Sequence, residues 1–206
     1  MQARLQFRLL GPPLILLDGE PIVGLKSRTA EALLIYLLDQ QRPLSRQFLA
    51  DFFWDERDPK QANANLRAVL SMLRKSLSDF LDITRQSIAF KPDAEFWMDT
   101  ADLEDELTRL GPALQNEGKL PLDRVDSLKT VLNLYPGDFL EGFYLTESRG
   151  FEEWMLLTRE RIERQVIVGM RKLVEYYLAV GAYEQGQQLA ARWLAIDAYD
   201  ENAHQF

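Results

Sequence analysis

Residues 58–78 constrain the fold of this chain more than any other segment. Their sequence is DPKQANANLRAVLSMLRKSLS, which begins with Asp58 and Pro59 and contains no glycine and no second proline. An aspartate before proline is typical of a helix start, because the carboxylate accepts from free N–H groups and proline presets the first helical φ. The segment therefore predicts a long helix over 59–78. Its apolar residues recur at steps of three or four and should face a core: Leu66, Val69, Leu70, Leu73 and Leu77.

A second face of this predicted helix carries cationic, amide and hydroxyl side chains and no carboxylate. These residues are Lys60, Asn63, Arg67, Ser71 and Arg74, with Lys75 beside them. Arginine and lysine neutralise phosphates, arginine pairs bidentately with guanine, and asparagine pairs with adenine in the major groove. The pattern therefore favours a helix that reads DNA. A solvated helix face is the alternative interpretation of the same pattern.

Short strands and two shorter helices are predicted ahead of this segment. Residues 5–9 alternate as a half-buried strand does, and a second apolar run ends at a hairpin turn at Asp18-Gly19, so three short antiparallel strands are expected. Ser27 is a candidate N-cap for a helix to about Asp39, and Ser45 for a shorter one. The positions expected to be buried in the shorter helix are Phe48, Leu49, Phe52 and Phe53.

A hairpin is predicted after residue 78. The runs LDITRQ and SIAFKP have strand-like spacing, and Arg85 lies in the turn between them. Strands, three helices and a terminal hairpin are the order of a winged helix-turn-helix, whose third helix enters the major groove. Arg85 would then lie at the wing tip, beside a phosphate or the minor groove.

The first half of the chain resembles a known family. An early GP, a DG turn, SRQFLADFFW and QANANLRAVLSMLRKSL follow in the order seen in the winged-helix domain of the Streptomyces antibiotic regulatory protein family. The resemblance implies binding to direct repeats in double-stranded DNA and recruitment of RNA polymerase. One departure is the wing turn, Arg85-Gln86-Ser87, which lacks the glycine often found there in the family.

Charge divides the chain into two parts. Residues 1–97 carry 13 Lys/Arg and 12 Asp/Glu, whereas residues 98–206 carry 11 and 20, and this asymmetry indicates two domains. The segment KPDAEFWMD is interpreted as the linker between them. Beyond it every segment has helical spacing, with Asp99 or Thr100 as the first cap, and one helix is expected to end at Gly181. The predicted fold class is mainly α with a small β component.

The second half resembles the bacterial transcriptional activation domain, which follows the winged helix in the same family. The resemblance rests on FLEGFYL, FEEWMLLTRERI and YYLAVGAYEQGQQLAARWLAIDAYDENAH. It implies a tetratricopeptide-like helical domain that contacts protein partners. Such domains continue for further helices, so the chain is interpreted as a fragment of a longer protein, with self-association into a homodimer as one way to cover its last helices.

Enzymatic, metal and cofactor functions find little support in the sequence. The chain has no cysteine, one histidine at His204, and neither a phosphate-binding GxxxxGK[ST] nor a GxGxxG motif. No run of 18 apolar residues predicts a membrane span, and the chain is expected in the cytoplasm. The alternative function is an interaction module of a larger signalling ATPase, in which the winged helix no longer binds DNA.

Overall fold

The computed structural model describes residues 4–22, 25, 27–115 and 120–198. The strands are β1 Leu5–Arg8, β2 Leu14–Leu17, β3 Glu20–Pro21, β4 Leu44–Ser45, β5 Leu81–Ile83, β6 Ser87–Phe90 and β7 Phe96–Met98. The helices are α1 Arg28–Gln40, α2 Arg46–Phe53, α3 Pro59–Leu77, α4 Asp99–Gln115, α5 Leu122–Leu132, α6 Arg149–Ala179 and α7 Tyr183–Ile196. The predicted fold class, a winged helix followed by a helical domain with little β structure, is confirmed.

The N-terminal sheet has one strand more than predicted. Its order is β3-β2-β1-β7, with β1 and β2 antiparallel and β7 parallel to β1. The interpretation of KPDAEFWMD as a linker is wrong in its second part, since Phe96–Met98 forms β7 and Met98 pairs with Phe7. Three residues are too few to show an alternating pattern, and their pairing partner lies about ninety positions earlier in the chain.

The first two helices begin where expected. The Ser27 hydroxyl accepts from the Ala30 N–H at 3.4 Å, and the Ser45 hydroxyl accepts from the Phe48 N–H at 3.1 Å. In α2, however, the prediction that all four apolar positions are buried is wrong. Leu49 and Phe53 are buried, but Phe48 is 40% exposed and Phe52 is half-buried. Phe48 and Phe52 lie on an adjoining side of the helix, where their rings stack with each other and with Tyr36.

A three-stranded wing sheet follows the three helices. Strands β5 and β6 form the predicted hairpin, and β4, which the sequence did not predict, pairs with β6 through Leu44 and Ile88. Because β4 lies between α1 and α2, this pairing ties the wing to the start of the helix-turn-helix.

The helical half is built around α6, which packs against α2, α4, α5 and α7. Tyr135 lies beyond the end of α5 and is buried in the following loop. Gly181 takes a left-handed φ of 75° directly after the C-cap of α6, as predicted. His204 and the expected next helix lie outside the described residues. Across the described ranges, no helix is long and apolar enough to span a membrane.

The two halves share one hydrophobic cluster that extends from Leu5 to Trp193. The chain after β1 also pairs with the loop before α6. The Leu140 N–H donates to the Leu9 carbonyl at 2.8 Å, and the Gly11 N–H donates to the Asp138 carbonyl at 2.8 Å. The N-terminal strand is therefore held by both halves of the chain.

Candidate nucleic-acid interface

Helix α3 begins at the predicted cap and buries the predicted stripe. The Asp58 carboxylate accepts from the N–H groups of Lys60 at 3.0 Å and Gln61 at 3.2 Å. The apolar side of the helix is buried against α1, α2 and β5, through Ala62, Leu66, Val69, Leu70, Leu73 and Leu77. With that side fixed on the core, the opposite side of the helix faces outward.

Five of the seven predicted DNA-binding residues form one exposed face on α3. They are Lys60, Arg67, Ser71, Arg74 and Lys75. At 3.6 residues per turn they lie within an arc of about 100°, and they extend over about 22 Å of helix axis. Helix α3 has no acidic residue. The structure therefore brings these side chains together on a cationic ridge suited to a polyanion.

Asn63 lies at the border of this face. It is half-buried, and its side-chain amide donates to the Pro59 carbonyl at 2.8 Å. This bond satisfies one of the two donor hydrogens of the amide. Asn63 is thus the predicted residue whose side chain is least free to approach a base edge.

Arg74 connects α3 to the wing. Its Nη2 atom donates to the Ile83 carbonyl at the end of β5, at 3.1 Å. An arginine has five donor hydrogens, so the remaining ones stay available to a phosphate or a base. Arg74 therefore fixes the position of the wing and contributes charge to the exposed face of α3.

The wing turn closes without glycine. The Thr84 hydroxyl accepts from the N–H groups of Gln86 at 3.1 Å and Ser87 at 2.9 Å, and no residue from Thr84 to Ser87 has a positive φ. A threonine hydroxyl that accepts in this way stabilises a turn locally. Arg85 is exposed in this turn, at the position predicted from the sequence.

Arg46 is a residue of this region that the sequence analysis missed. Its backbone N–H donates to the Gln86 carbonyl at 2.9 Å, and its Nη1 atom donates to the Thr84 carbonyl at 3.2 Å. It therefore joins the first turn of α2 to the wing turn. The available signal was a cation directly after Ser45, at a helix N-terminus of the kind that faces the DNA backbone in helix-turn-helix proteins.

No metal centre competes with this interpretation in the described part of the chain. Across residues 4–22, 25, 27–115 and 120–198, no group of three or more His, Asp and Glu side chains is arranged to hold a metal ion. The concentration of exposed cations on α3 and the wing makes this surface the candidate site.

Comparison with known proteins identifies the family. Residues 98–206 match the model of the bacterial transcriptional activator domain. The regulatory protein AfsR of Streptomyces coelicolor is 30% identical over 157 residues, which cover 74% of this chain and 16% of AfsR. The transcriptional regulatory protein EmbR of Mycobacterium tuberculosis is 31% identical over 77 residues, which cover 37% of this chain and 20% of EmbR.

A solved structure shares the fold. The structure of M. tuberculosis EmbR in complex with a low affinity phosphopeptide matches with a TM-score of 0.70 at 21% identity, over 98% of this chain and 53% of the EmbR chain. This chain thus spans about a sixth to a fifth of the length of the curated relatives and about half of the solved one. The chain belongs to the bacterial transcriptional activator domain family.

Proposed function

We propose that this protein is a transcriptional activator that binds double-stranded DNA by placing α3 in the major groove, with the wing against the adjacent backbone. Residues 1–97 form the DNA-binding domain in this proposal, and residues 98–206 form the helical domain that contacts protein partners. The observation that carries the proposal is the exposed face of α3, which is cationic along its length and has no carboxylate. Because the proposed target is DNA, this proposal locates the protein in the cytoplasm.

The structure suggests different roles for the seven residues. Arg67 and Ser71 lie near the middle of the exposed face, and we assign them to base edges. Lys60 and Lys75 lie towards its two ends, and Arg85 lies on the wing, so these three contact phosphates. Arg74 contacts the DNA backbone while it remains hydrogen-bonded to β5. Asn63 contributes to DNA binding from the border of the face.

RNA polymerase is the proposed protein partner of the helical domain, which carries all of the net negative charge of the chain. The DNA-binding half is only weakly basic, so one copy is expected to bind with modest affinity. Two copies on adjacent direct repeats would bind more tightly, because the second site is filled at a high effective concentration.

The first test is selection from a pool of random DNA duplexes, followed by titration of the enriched duplex at two salt concentrations. Arg67→Ala should lower the affinity for the enriched sequence by about 1–3 kcal/mol and relax its base preference. Lys75→Ala should weaken all sequences alike and reduce the salt dependence, because it removes a phosphate contact.

Arg124→Ala is the matched control, since it removes the same charge from an exposed position at the start of α5 in the helical half. It should bind as the unmodified chain does. Failure of the chain to enrich any sequence, or binding that Arg67→Ala and Arg124→Ala affect equally, would reject α3 as the DNA-reading helix and favour the protein-interaction module instead.

A further inference from the structure

A short segment of the helical half, Glu147–Gly150, contacts the helix-turn-helix, and we term it the docking segment. It leads into α6 and lies against the C-terminal end of α2. The buried Ser148 hydroxyl donates to the Phe52 carbonyl at 2.9 Å. That carbonyl belongs to the last turn of α2, where no intrahelical partner is available. The helical half therefore satisfies a free backbone group of the helix-turn-helix.

Two ion pairs of opposite polarity connect the docking segment to the turn between α2 and α3. Arg57 lies 2.6 Å from Glu147, and Arg149 lies 2.6 Å from Glu56. All four side chains are substantially exposed, so each pair contributes little to stability. The positive partner lies on the turn in one pair and on the docking segment in the other, so the charges match in only one placement of the turn against the docking segment. The two pairs therefore help to set the orientation of the turn relative to the docking segment.

Gly150 is packed against Phe52 more closely than any other residue type would permit. A Cβ atom built on Gly150 would lie 2.8 Å from Cδ2 and 3.2 Å from the carbonyl oxygen of Phe52. The Phe52 ring is itself stacked on Tyr36, with ring centroids 4.4 Å apart, and Tyr36 packs edge-on against Trp154, with centroids 5.1 Å apart. The ring therefore has little freedom to move, and an added methyl group would push α2 away from α6.

We propose that the docking segment positions the helix-turn-helix for DNA recognition, with Gly150 and Ser148 as positioning residues. Helix α2 packs against the docking segment on one side and α3 on the other, so a displacement of α2 changes the angle at which α3 meets the groove. The helical half then sets the DNA affinity without touching DNA. This inference rests on the proposed DNA binding by α3.

The test compares Gly150→Ala with Gly186→Ala in the full chain. Both change a glycine within a helix to alanine, but a Cβ at Gly186 makes only an ordinary contact, 3.5 Å from the Cβ of Tyr177. Gly150→Ala should bind the enriched duplex about tenfold more weakly, the effect expected of an overpacked contact. Its affinity for unrelated duplex should not change, because phosphate contacts tolerate a small shift. Gly186→Ala should leave both affinities as they are.

A milder pair of variants removes charge without adding volume. Glu147→Gln breaks the ion pair with Arg57, whereas Glu153→Gln makes the same charge change at an exposed position of α6. Glu147→Gln should reduce the affinity for the enriched duplex about twofold, and Glu153→Gln should not. A loss that falls equally on enriched and unrelated DNA would mark a merely structural contact and overturn the proposal.

Hydrogen exchange of the free protein separates this inference from the proposed function. Gly150→Ala should speed amide exchange in α2 and in residues 54–60, and Gly186→Ala should not. If the unmodified chain binds no DNA, the proposed function fails, and exchange alone then decides whether the docking segment positions the helix-turn-helix. Equal exchange in the two variants, or faster exchange in Gly150→Ala with unchanged selectivity for the enriched duplex, would overturn the inference.

Discussion

Both carboxylate oxygens of Asp99 lie 2.9 Å from the backbone nitrogen of Leu9, ninety residues earlier in the chain. The same side chain also accepts from the Leu10 N–H at 3.1 Å. Asp99 is only 9% exposed, and burial raises the pKa of its carboxyl group although the N–H donors act in the opposite direction. Asp99, expected to cap a helix, is the first residue of α4 and holds the N-terminal strand against the start of that helix.

Asp99→Ala should lower the free energy of unfolding by about 1–3 kcal/mol, because it leaves two buried N–H groups without an acceptor. The exposed Asp105, in the next turn of the same helix, offers the control Asp105→Ala, which should change stability little. Urea unfolding of the two variants measures the difference. Equal stabilities would mean that water replaces the carboxylate at Leu9 and Leu10.

Asn63→Ala should impair DNA binding less than Arg67→Ala. The Asn63 amide is half-buried and already donates to the Pro59 carbonyl, whereas Arg67 is exposed on the central part of the face. Titration of both variants against the enriched duplex measures the ranking. A larger loss for Asn63→Ala would show that this side chain leaves Pro59 to contact a base when DNA binds.

Thr84→Val should destabilise the wing, because it removes the hydroxyl that accepts from Gln86 and Ser87 while it keeps the side-chain shape. The cost should be on the order of 1 kcal/mol, as for other solvent-accessible hydrogen bonds. Thr84→Ser retains the hydroxyl and is the control. Amide exchange at residues 84–88 provides the measurement, and identical protection in the two variants would contradict the role given to the hydroxyl.

Glu163→Gln should raise stability near neutral pH. Burial, followed by the negative charge of Asp138, raises the pKa of Glu163 despite the opposing charge of Arg159. A carboxyl group whose pKa is higher in the folded than in the unfolded state favours folding below its unfolded pKa, and this contribution is lost as pH rises through the folded value. The glutamine variant does not titrate, so its advantage should grow with pH over that range.

Thermal unfolding at a series of pH values measures this advantage. Glu153→Gln, which makes the same change at an exposed position of the same helix, is the control. A Glu163→Gln advantage that shrinks as pH rises would show that the attraction of Arg159 outweighs burial.

The features that local sequence determined are those whose interactions are close in the chain. The Asp58 cap accepts from residues two and three positions on, and the buried stripe of α3 repeats every three or four residues, so both could be predicted from residue spacing. The hairpin around Arg85 was predicted for the same reason. The order of these elements, together with the family motifs, was enough to indicate a winged helix followed by an activator domain.

Only the tertiary structure decided the contacts between segments far apart in the chain. Strand β7 pairs with β1, Asp99 with Leu9, and Gly150 with Phe52, each across more than eighty residues. A periodic residue pattern does not predict such a pair, because the pair depends on where two distant segments of the chain meet in the fold. The partial burial of Asn63 was also decided by the tertiary structure, since the packing of one side of α3 against the core determines how far each neighbouring position is exposed.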